Sequence, residues 1–518
     1  MSLRAHHGVA IFFKMDYFVA LLLVMTWEII KLSLYQEAFN LHSQGKLIEA
    51  EQKYLELLKN EPQNSDALNM LGVLNYQSNR FNEAIDYIIK ALKIREDVYY
   101  YECLGAVYLD IREYEVAKNT FERACELNPE NAENWFNLAT ALKGLRRFED
   151  AENFYKKAVE INPKLSIAYF NLATLYANNL NRPKEAIATF QKVLELNPDD
   201  AESKYFISLN YFRDKDYVTG GKFFENRLCR KSAIMSQEKT FPNLMKTAKI
   251  WKGETVKEST IYTYYEAGFG DIIMYSRYLP LVKERCKKLI FKPRSELTPL
   301  FEDNPQLGID YLEYLTPEDE IHFDYHIPLL SIPYALGLNN EEIFGTTDKY
   351  LFANKEKSKR YFDEFCKGND KFKIGIKWQG NTYYDTERVI TIESFFKIFE
   401  LPNTQFYSMQ TAEGSEELEK CKKYDVIDLA STFKDFSDTA AAIDNMDLII
   451  SNDSSLAHLA GAMGKPCFVL LPFIYNWRWH MDMSHCDWYD SVKLFKQNTP
   501  VDWNEVMDRV RKEIEKRI

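Results

Sequence analysis

A period of about 34 residues governs the first part of this 518-residue chain and limits what it can fold into. Small residues recur at this spacing, and prolines recur at multiples of it. The small residues are Ala50, Ala84, Ala117, Ala151, Ala186 and Gly220. The prolines are Pro62, Pro129, Pro163 and Pro198. Because proline ends a helix and small residues let helices approach closely, the pattern predicts stacked helix pairs over residues 31–230.

The third repeat shows the pattern most completely. Its characteristic residues are Tyr101, Leu104, Gly105, Tyr108, Ala117, Phe121, Ala124 and Pro129. They resemble the tetratricopeptide repeat, over about six units. The resemblance implies an all-α solenoid whose inner groove holds an extended peptide or another protein. Asn137 and Asn171 are expected to face this groove and to bond a peptide backbone. The alternative is an array that only supports the second half of the chain or forms a homo-oligomer interface.

The hydrophobic pattern changes after about residue 230. A polar connector over 231–255 precedes apolar runs of β-forming residues that alternate with helical stretches. This alternation is typical of βα units with parallel sheets. We predict two Rossmann-like halves, over residues 256–368 and 370–495, and a final helix within 496–518.

The amino-acid composition limits which classes of partner and which cellular compartment we expect for the chain. The chain has 65 basic and 77 acidic side chains and a net charge of −12, so neither nucleic acid nor an anionic membrane surface is an expected partner. Its eight cysteines form no C-x-x-C pair and are widely scattered. This distribution argues against a zinc ribbon or a disulfide framework and favours reduced thiols in a cytoplasmic protein.

Residues 1–30 form an N-terminal extension with one apolar run, Tyr17–Met25. The run is shorter than the roughly 20 residues that a membrane-spanning helix needs. Three interpretations are open: an interfacial anchor, a signal segment, or an upstream extension with the true start at Met15 or Met25. We favour the third.

Two strand-to-helix turns carry polar side chains. The first runs from Glu266 through Gly268 and Gly270 to Asp271. Its glycines would let the backbone approach a ligand at the carboxyl edge of a strand, where ligands bind in α/β sheets. Asp271 is then either a helix cap or a general base that faces a cleft.

The second turn follows the apolar run that starts at Asp447. It comprises Ser451, Asn452, Asp453, Ser454 and Ser455. Hydroxyls and free amides at a helix N-terminus suit a diphosphate, because the positive end of the helix dipole attracts anions. The alternative is simple capping by Asp453 or Ser454, with His458 as a packed core residue.

Five segments in this order carry a second resemblance. They are GFGDIIMYSRYLP, FDYHIPLLSIPYALG, IGIKWQGN, DFSDTAAAIDNMDLIISNDSSLAHLAGAMGKP and LLPFIYNWRW. Over roughly residues 241–495 the chain resembles the glycosyltransferase family 9 (heptosyltransferase-like) module of bacterial proteins that carry it after tetratricopeptide repeats. The resemblance implies a GT-B fold and a nucleotide-sugar donor, with no catalytic metal.

The resemblance also implies roles for single residues. Asp271 matches the candidate base, and Asn452, Asp453, Ser454 and Ser455 match the turn that holds the donor diphosphate. Lys377 and Arg388 are the expected cations beside it. Sugar or phosphate contacts are expected from Gly268, Gly270, Gln379, Asn381 and His458.

Two other groups of side chains have competing interpretations. Trp477, Trp479 and Trp488 would stack on a sugar or nucleobase, or else fill the core. A group near the C-terminus looks like a metal cluster but lacks ligand spacing, so we expect no metal. Its members are His480, Asp482, His485, Cys486 and Asp487.

The sequence therefore predicts a glycosyltransferase that moves a sugar, with inversion, from a nucleotide sugar to a protein or glycan docked on the repeats. Two alternatives remain open: a non-catalytic repeat scaffold that only binds a nucleotide sugar, and a GT-B sugar-nucleotide epimerase.

Overall fold

The computed structural model describes residues 34–230, 249–312, 322–345, 349–380, 389–479 and 486–518. The predicted extension 1–30 and most of the predicted connector 231–255 lie outside these ranges, as do Asn381 and Arg388. The chain divides into two compact units. The first comprises Met1–Leu180 and Glu195–Asn197, and the second comprises Asn181–Leu194 and Pro198–Ile518.

As far as residue 224, the described chain consists of consecutive helices joined by short turns, as the repeat predicted. The first, α1, covers residues 34–43. The others are α2 (Leu47–Asn60), α3 (Ser65–Gln77), α4 (Phe81–Ile94), α5 (Val98–Asp110), α6 (Tyr114–Leu127), α7 (Ala132–Gly144), α8 (Phe148–Ile161), α9 (Ser166–Asn178), α10 (Pro183–Leu196), α11 (Ala201–Arg213) and α12 (Tyr217–Phe224). The all-α character predicted for this region is confirmed.

The small residues of the repeat explain how the helices pair. A Cβ on Gly72 would lie 2.4 Å from Cγ1 of Ile88, and one on Gly105 would lie 2.5 Å from the ring of Phe121. Both distances are shorter than a carbon–carbon contact allows. The two glycines are therefore what lets α3 pack closely against α4 and α5 against α6. Ala84 and Ala117 on the facing helices are fully buried.

The turn inside each helix pair repeats as well. One residue per pair adopts a left-handed backbone, with φ between 53° and 74°. These residues are Gly45, Asn79, Arg112, Arg146, Asn181 and Lys215. Only the first is glycine, so the closely packed helices impose the turn even on side chains that disfavour it.

Two sheets with only parallel pairings follow in the second unit, which confirms the predicted α/β class. The first has the order β1-β5-β2-β3-β4 and the second the order β11-β10-β9-β6-β7-β8. The strands are β1 (Lys249–Ile250), β2 (Val256–Tyr264), β3 (Cys286–Lys292), β4 (Tyr311–Leu312), β5 (Tyr325–Pro328), β6 (Phe372–Lys377), β7 (Thr404–Ser408), β8 (Ile427–Asp428), β9 (Leu448–Asn452), β10 (Cys467–Leu471) and β11 (Val492–Lys496).

Helices cover these sheets, most of them short. They are α13 (Phe269–Tyr275), α14 (Leu279–Lys283), α15 (Thr298–Glu302), α16 (Ile332–Ala335), α17 (Lys355–Tyr361), α18 (Phe396–Phe399), α19 (Phe436–Asp444), α20 (Ser455–Ala462) and α21 (Trp503–Glu515). No helix among the described residues is long and apolar enough to cross a membrane.

The core of the second unit includes the last two repeat helices. Phe212 of α11 lies 4.8 Å from Trp477, and Tyr217 of α12 lies 6.1 Å from Trp488, between ring centroids. All three tryptophans with competing interpretations, Trp477, Trp479 and Trp488, are buried. They therefore fill this core, as the core-filling interpretation predicted. The repeat period thus continues into helices that belong structurally to the α/β unit.

Candidate active site

Two strand ends and the helices that follow them form the candidate site. The turn after β2 leads into α13, which carries Asp271, and the turn after β9 leads into α20. The two helices touch: a Cβ on Gly270 would lie 2.7 Å from Cδ2 of His458. Gly270 therefore serves close helix packing. The backbone at Gly268 has an ordinary φ of −70°, and a Cβ there would meet only Oδ2 of Asp271, at 3.8 Å, so its conformation does not require glycine.

Asp271 is the third residue of α13, but it does not cap that helix. The N-cap is Gly268, and no side chain accepts a capping hydrogen bond there. Oδ1 of Asp271 instead accepts a hydrogen bond from Nη2 of Arg478 in an ion pair. The Asp271 side chain is 14% exposed, so it remains accessible. The capping interpretation of this residue was wrong.

Arg478 is a site residue that sequence reasoning missed. It lies in the 3₁₀ turn Trp477–Trp479, after β10 and beside Asp271. Burial acts to lower the pKa of Arg478, but the carboxylates of Asp271 and Asp453 outweigh burial and hold that pKa above its usual range. The guanidinium therefore pairs with the carboxylate of one turn and is influenced electrostatically by the carboxylate of the other. The signal was available, because β10 pairs with β9 and the loops that follow parallel neighbours meet at one sheet edge.

The turn after β9 presents hydroxyls at the start of α20. Ser454 is the N-cap, and its side chain makes no capping hydrogen bond. Its Oγ lies 2.8 Å from Oγ of Ser451. Ser454 and Ser455 are partly exposed, whereas Asn452 is fully buried and Asp453 nearly so. The accessible groups at this helix end are thus hydroxyls and backbone amides, which suit an anion.

Lys377 ends β6 and is the register partner of Ser451 on β9. Its side chain is buried, with 8% of the residue exposed, and Nζ donates to Oγ1 of Thr411 at 3.4 Å. Within the described part of the chain it forms no ion pair with a carboxylate. Burial therefore lowers the pKa of Lys377 to about 8. A buried cation at the edge of the sheet is one that an incoming anion would stabilise.

Lys377→Met is expected to stabilise the protein at pH 7. The folded pKa lies below that of the unfolded chain, so the unfolded state binds more protons between pH 8 and about 10. Burial of the cation thus costs about 3 kcal/mol at pH 7, and this cost declines as the pH rises above 8. Urea unfolding at pH 7 should give the variant a higher free energy of unfolding than the wild type. At pH 9.5 this gain in the free energy of unfolding should be smaller. Lys422→Met, at an exposed lysine, is the control, and an equal gain there would contradict the prediction.

The remaining predicted contacts divide into two groups. The backbone of Gln379 is fixed, because its N–H donates to Oε1 of Gln410 and its carbonyl accepts from Nε2 of the same side chain, both at 3.0 Å. It follows Lys377 at the same strand end. Asn381 and Arg388 lie outside the described residues.

His458 differs from its predicted role as a sugar or phosphate contact. It is only 3% exposed, stacks on Trp479 at 4.9 Å and lies 3.1 Å through Nδ1 from the hydroxyl of Tyr489. Burial lowers the pKa of His458 to about 4, so the ring is neutral at physiological pH. His458 is therefore a packing residue that holds α20 against α13.

The arrangement combines a carboxylate, an arginine and a helix N-terminus with partly exposed hydroxyls. A carboxylate can accept a proton from an attacking hydroxyl, and the cation and amides can hold a departing phosphate. Among the described residues, no three His, Cys, Asp or Glu side chains are grouped to hold a metal ion.

Comparison with known families locates similarity in both parts of the chain. Tetratricopeptide-repeat models match residues 40–97, 104–166 and 144–208. The model of glycosyltransferase family 9 (heptosyltransferase) matches residues 404–470. That match includes the turn after β9 and the start of α20, and it excludes Asp271, Lys377 and Arg478.

Individual proteins show more distant similarity. Protein FlbA of Caulobacter vibrioides is 23% identical over 286 residues, which cover 50% of this chain and 47% of FlbA. The chain thus spans about half the length of this curated relative. MamA (41-end) of Desulfovibrio magneticus RS-1 is 24% identical with a TM-score of 0.31, over 33% of this chain and 97% of that one. YrrB is 22% identical with a TM-score of 0.31, over 36% of this chain and 97% of that one.

The family matches agree with the class of each half of the structure, helical repeats followed by parallel sheets. The chain therefore carries tetratricopeptide repeats in its N-terminal region and, over residues 404–470, a glycosyltransferase family 9 (heptosyltransferase) segment.

Proposed function

We propose that this protein is a glycosyltransferase that moves a sugar from a nucleotide-sugar donor to an acceptor, with inversion in a single displacement. One observation carries the proposal: α13 and α20 touch, and Arg478, which pairs with Asp271 of α13, is anchored to α20 by the stack of the next residue, Trp479, on His458. A base and a seat for a diphosphate are what this displacement needs on opposite sides of the reacting carbon.

In the proposed reaction, Asp271 takes the proton of the acceptor hydroxyl as its oxygen attacks the anomeric carbon. The bond between that carbon and the diphosphate breaks, and the electron pair leaves with the nucleoside diphosphate. Amides and hydroxyls of Ser454 and Ser455 stabilise the negative charge that builds up there, helped by the positive end of the α20 dipole. Lys377 adds a cation at the neighbouring strand end.

The repeats supply the proposed docking surface for the acceptor. Tetratricopeptide repeats present their first helices along one groove, and here Asn69, Cys103, Asn137 and Asn171 recur every 34 residues on those helices. Asn69 is buried, with Nδ2 at 3.7 Å from Sγ of Cys103, so the three partly exposed members of the row, Cys103, Asn137 and Asn171, are the ones that can contact an acceptor. A protein acceptor, or a glycan carried by a protein, fits such a surface.

Thermal unfolding with a panel of nucleotide sugars tests the proposal. A true donor at 100 times its dissociation constant should stabilise the protein by about 2.7 kcal/mol. Incubation with that donor and an acceptor should then release the nucleoside diphosphate and attach the sugar to the acceptor. Failure of every nucleotide sugar to bind would favour the non-catalytic scaffold. An altered sugar formed without any acceptor would favour the epimerase.

A further inference from the structure

Arg478 has more hydrogen-bonding capacity than its described partners use. Its Nη2 donates to Oδ1 of Asp271, while Nε is buried without a hydrogen-bond partner among the described residues. A guanidinium carries five N–H donors in a planar fork. A buried and unbonded donor is costly, so it marks a place where a ligand atom would be favourable.

The surroundings of Arg478 identify that ligand as an anion. Asp453 lies near enough to affect the guanidinium, and the serine hydroxyls at the start of α20 follow it directly. The side chain as a whole is 16% exposed although Nε itself is buried, so a ligand can reach part of the side chain. An anion there would pair with the guanidinium and with the amides and hydroxyls at the start of α20.

We propose that Arg478 binds the diphosphate of the donor while it holds Oδ1 of Asp271, so that one guanidinium positions both the leaving group and the base. The inference rests on the proposed glycosyltransferase function and adds to it a diphosphate-binding residue. Its geometry leaves Oδ2 of Asp271 to receive the acceptor proton. The leaving diphosphate keeps the electron pair of the broken bond, next to the cation.

Arginine suits this bridging role better than lysine. Its planar fork can bond a carboxylate along one edge and phosphate oxygens along another, whereas an ammonium is a compact point charge. The stack of Arg478 on Trp477, at 4.9 Å between guanidinium carbon and ring centroid, fixes the plane of the fork. The neighbouring Trp479 packs on His458 and anchors the turn to α20.

The test measures nucleoside diphosphate binding by the full-length chain. The probes are ADP, GDP, UDP, CDP and dTDP, titrated calorimetrically. We expect Arg478→Gln to weaken the best of them by about 10- to 100-fold, as the loss of charge-assisted hydrogen bonds implies. Arg478→Lys should fall between Arg478→Gln and the wild type. The control is Arg360→Gln, which removes an exposed arginine that also pairs with an aspartate, Asp438, and should bind normally.

The outcomes separate the inference from the function on which it rests. Unchanged diphosphate affinity in Arg478→Gln, with slower transfer, would overturn the inference and leave Arg478 as a positioning residue for Asp271 alone. If Arg478→Gln melts well below the wild type, Arg478→Lys decides, and wild-type affinity there would overturn the inference. A wild-type protein that binds none of the five diphosphates would contradict the proposed function itself.

Discussion

Replacing Asp271 with asparagine is expected to slow sugar transfer by roughly 10²- to 10⁴-fold, the usual contribution of a general base. The amide cannot accept the acceptor proton, but its oxygen can still accept the hydrogen bond from Arg478. The ion pair becomes a neutral hydrogen bond, and the arginine stays in place. Donor affinity should therefore remain the same or rise slightly, since a negative charge near the diphosphate has been removed.

Two measurements on Asp271→Asn check this prediction. Transfer is followed as nucleoside diphosphate released in the presence of acceptor, and donor binding is followed by calorimetry. Asp508→Asn is the matched control, because Asp508 also pairs with a cation, Lys397, but on the exposed side of α21. Undiminished turnover in Asp271→Asn would remove this residue from the mechanism. Loss of donor binding together with transfer would indicate a structural role instead.

The sequence predicted the fold well, because each element follows from local rules. Proline and small residues at a constant period indicate paired helices, and apolar runs between helical stretches indicate parallel strands. It did not indicate that α11 and α12 pack into the α/β unit. Phe212 and Tyr217 look like ordinary repeat residues, and their partners Trp477 and Trp488 lie more than 260 positions away in the sequence. Periodicity carries no information about such contacts.

The site was predictable as far as strand ends reveal it. Asp271 and the turn after β9 stood out because polar residues follow apolar strands there. Arg478 did not stand out, because it lies between two tryptophans, and such residues indicate a hydrophobic core. His458 had two interpretations in the sequence, a ligand contact because it follows a polar turn, and a packed core residue; its packing against Gly270 and Trp479 agrees with the second.

A buried ion network joins the end of the repeats to the turn after β2. Arg227, just after α12, donates through Nε and Nη2 to both carboxylate oxygens of Glu266, and through Nη1 to Glu225 at 2.9 Å. Nη2 also donates to Oγ of Ser331 at 2.7 Å. Glu266 begins the turn that leads to Asp271. The position of the proposed base therefore depends on a residue that the repeat period would assign to the helical array.

Arg227→Met is expected to destabilise the second unit by about 3–5 kcal/mol, because Glu266 would be left buried without its cation. Glu266→Gln added to this variant should recover part of the loss, since the uncompensated charge is then gone. Arg230→Met is the control: this arginine, three residues later, pairs with Glu202 nearer the surface, where such pairs contribute at most about 1 kcal/mol.

Tryptophan fluorescence during urea unfolding reports mainly on the second unit, which contains six of the eight tryptophans, from Trp251 to Trp503. The transition of Arg227→Met should move to lower urea, and that of Arg230→Met should hardly move. Equal shifts in the two variants would show that the buried network contributes no more than a surface pair. A shift in Arg227→Met that the added Glu266→Gln does not reduce would show instead that the loss comes from the stacking of the Arg227 guanidinium on the ring of Phe224.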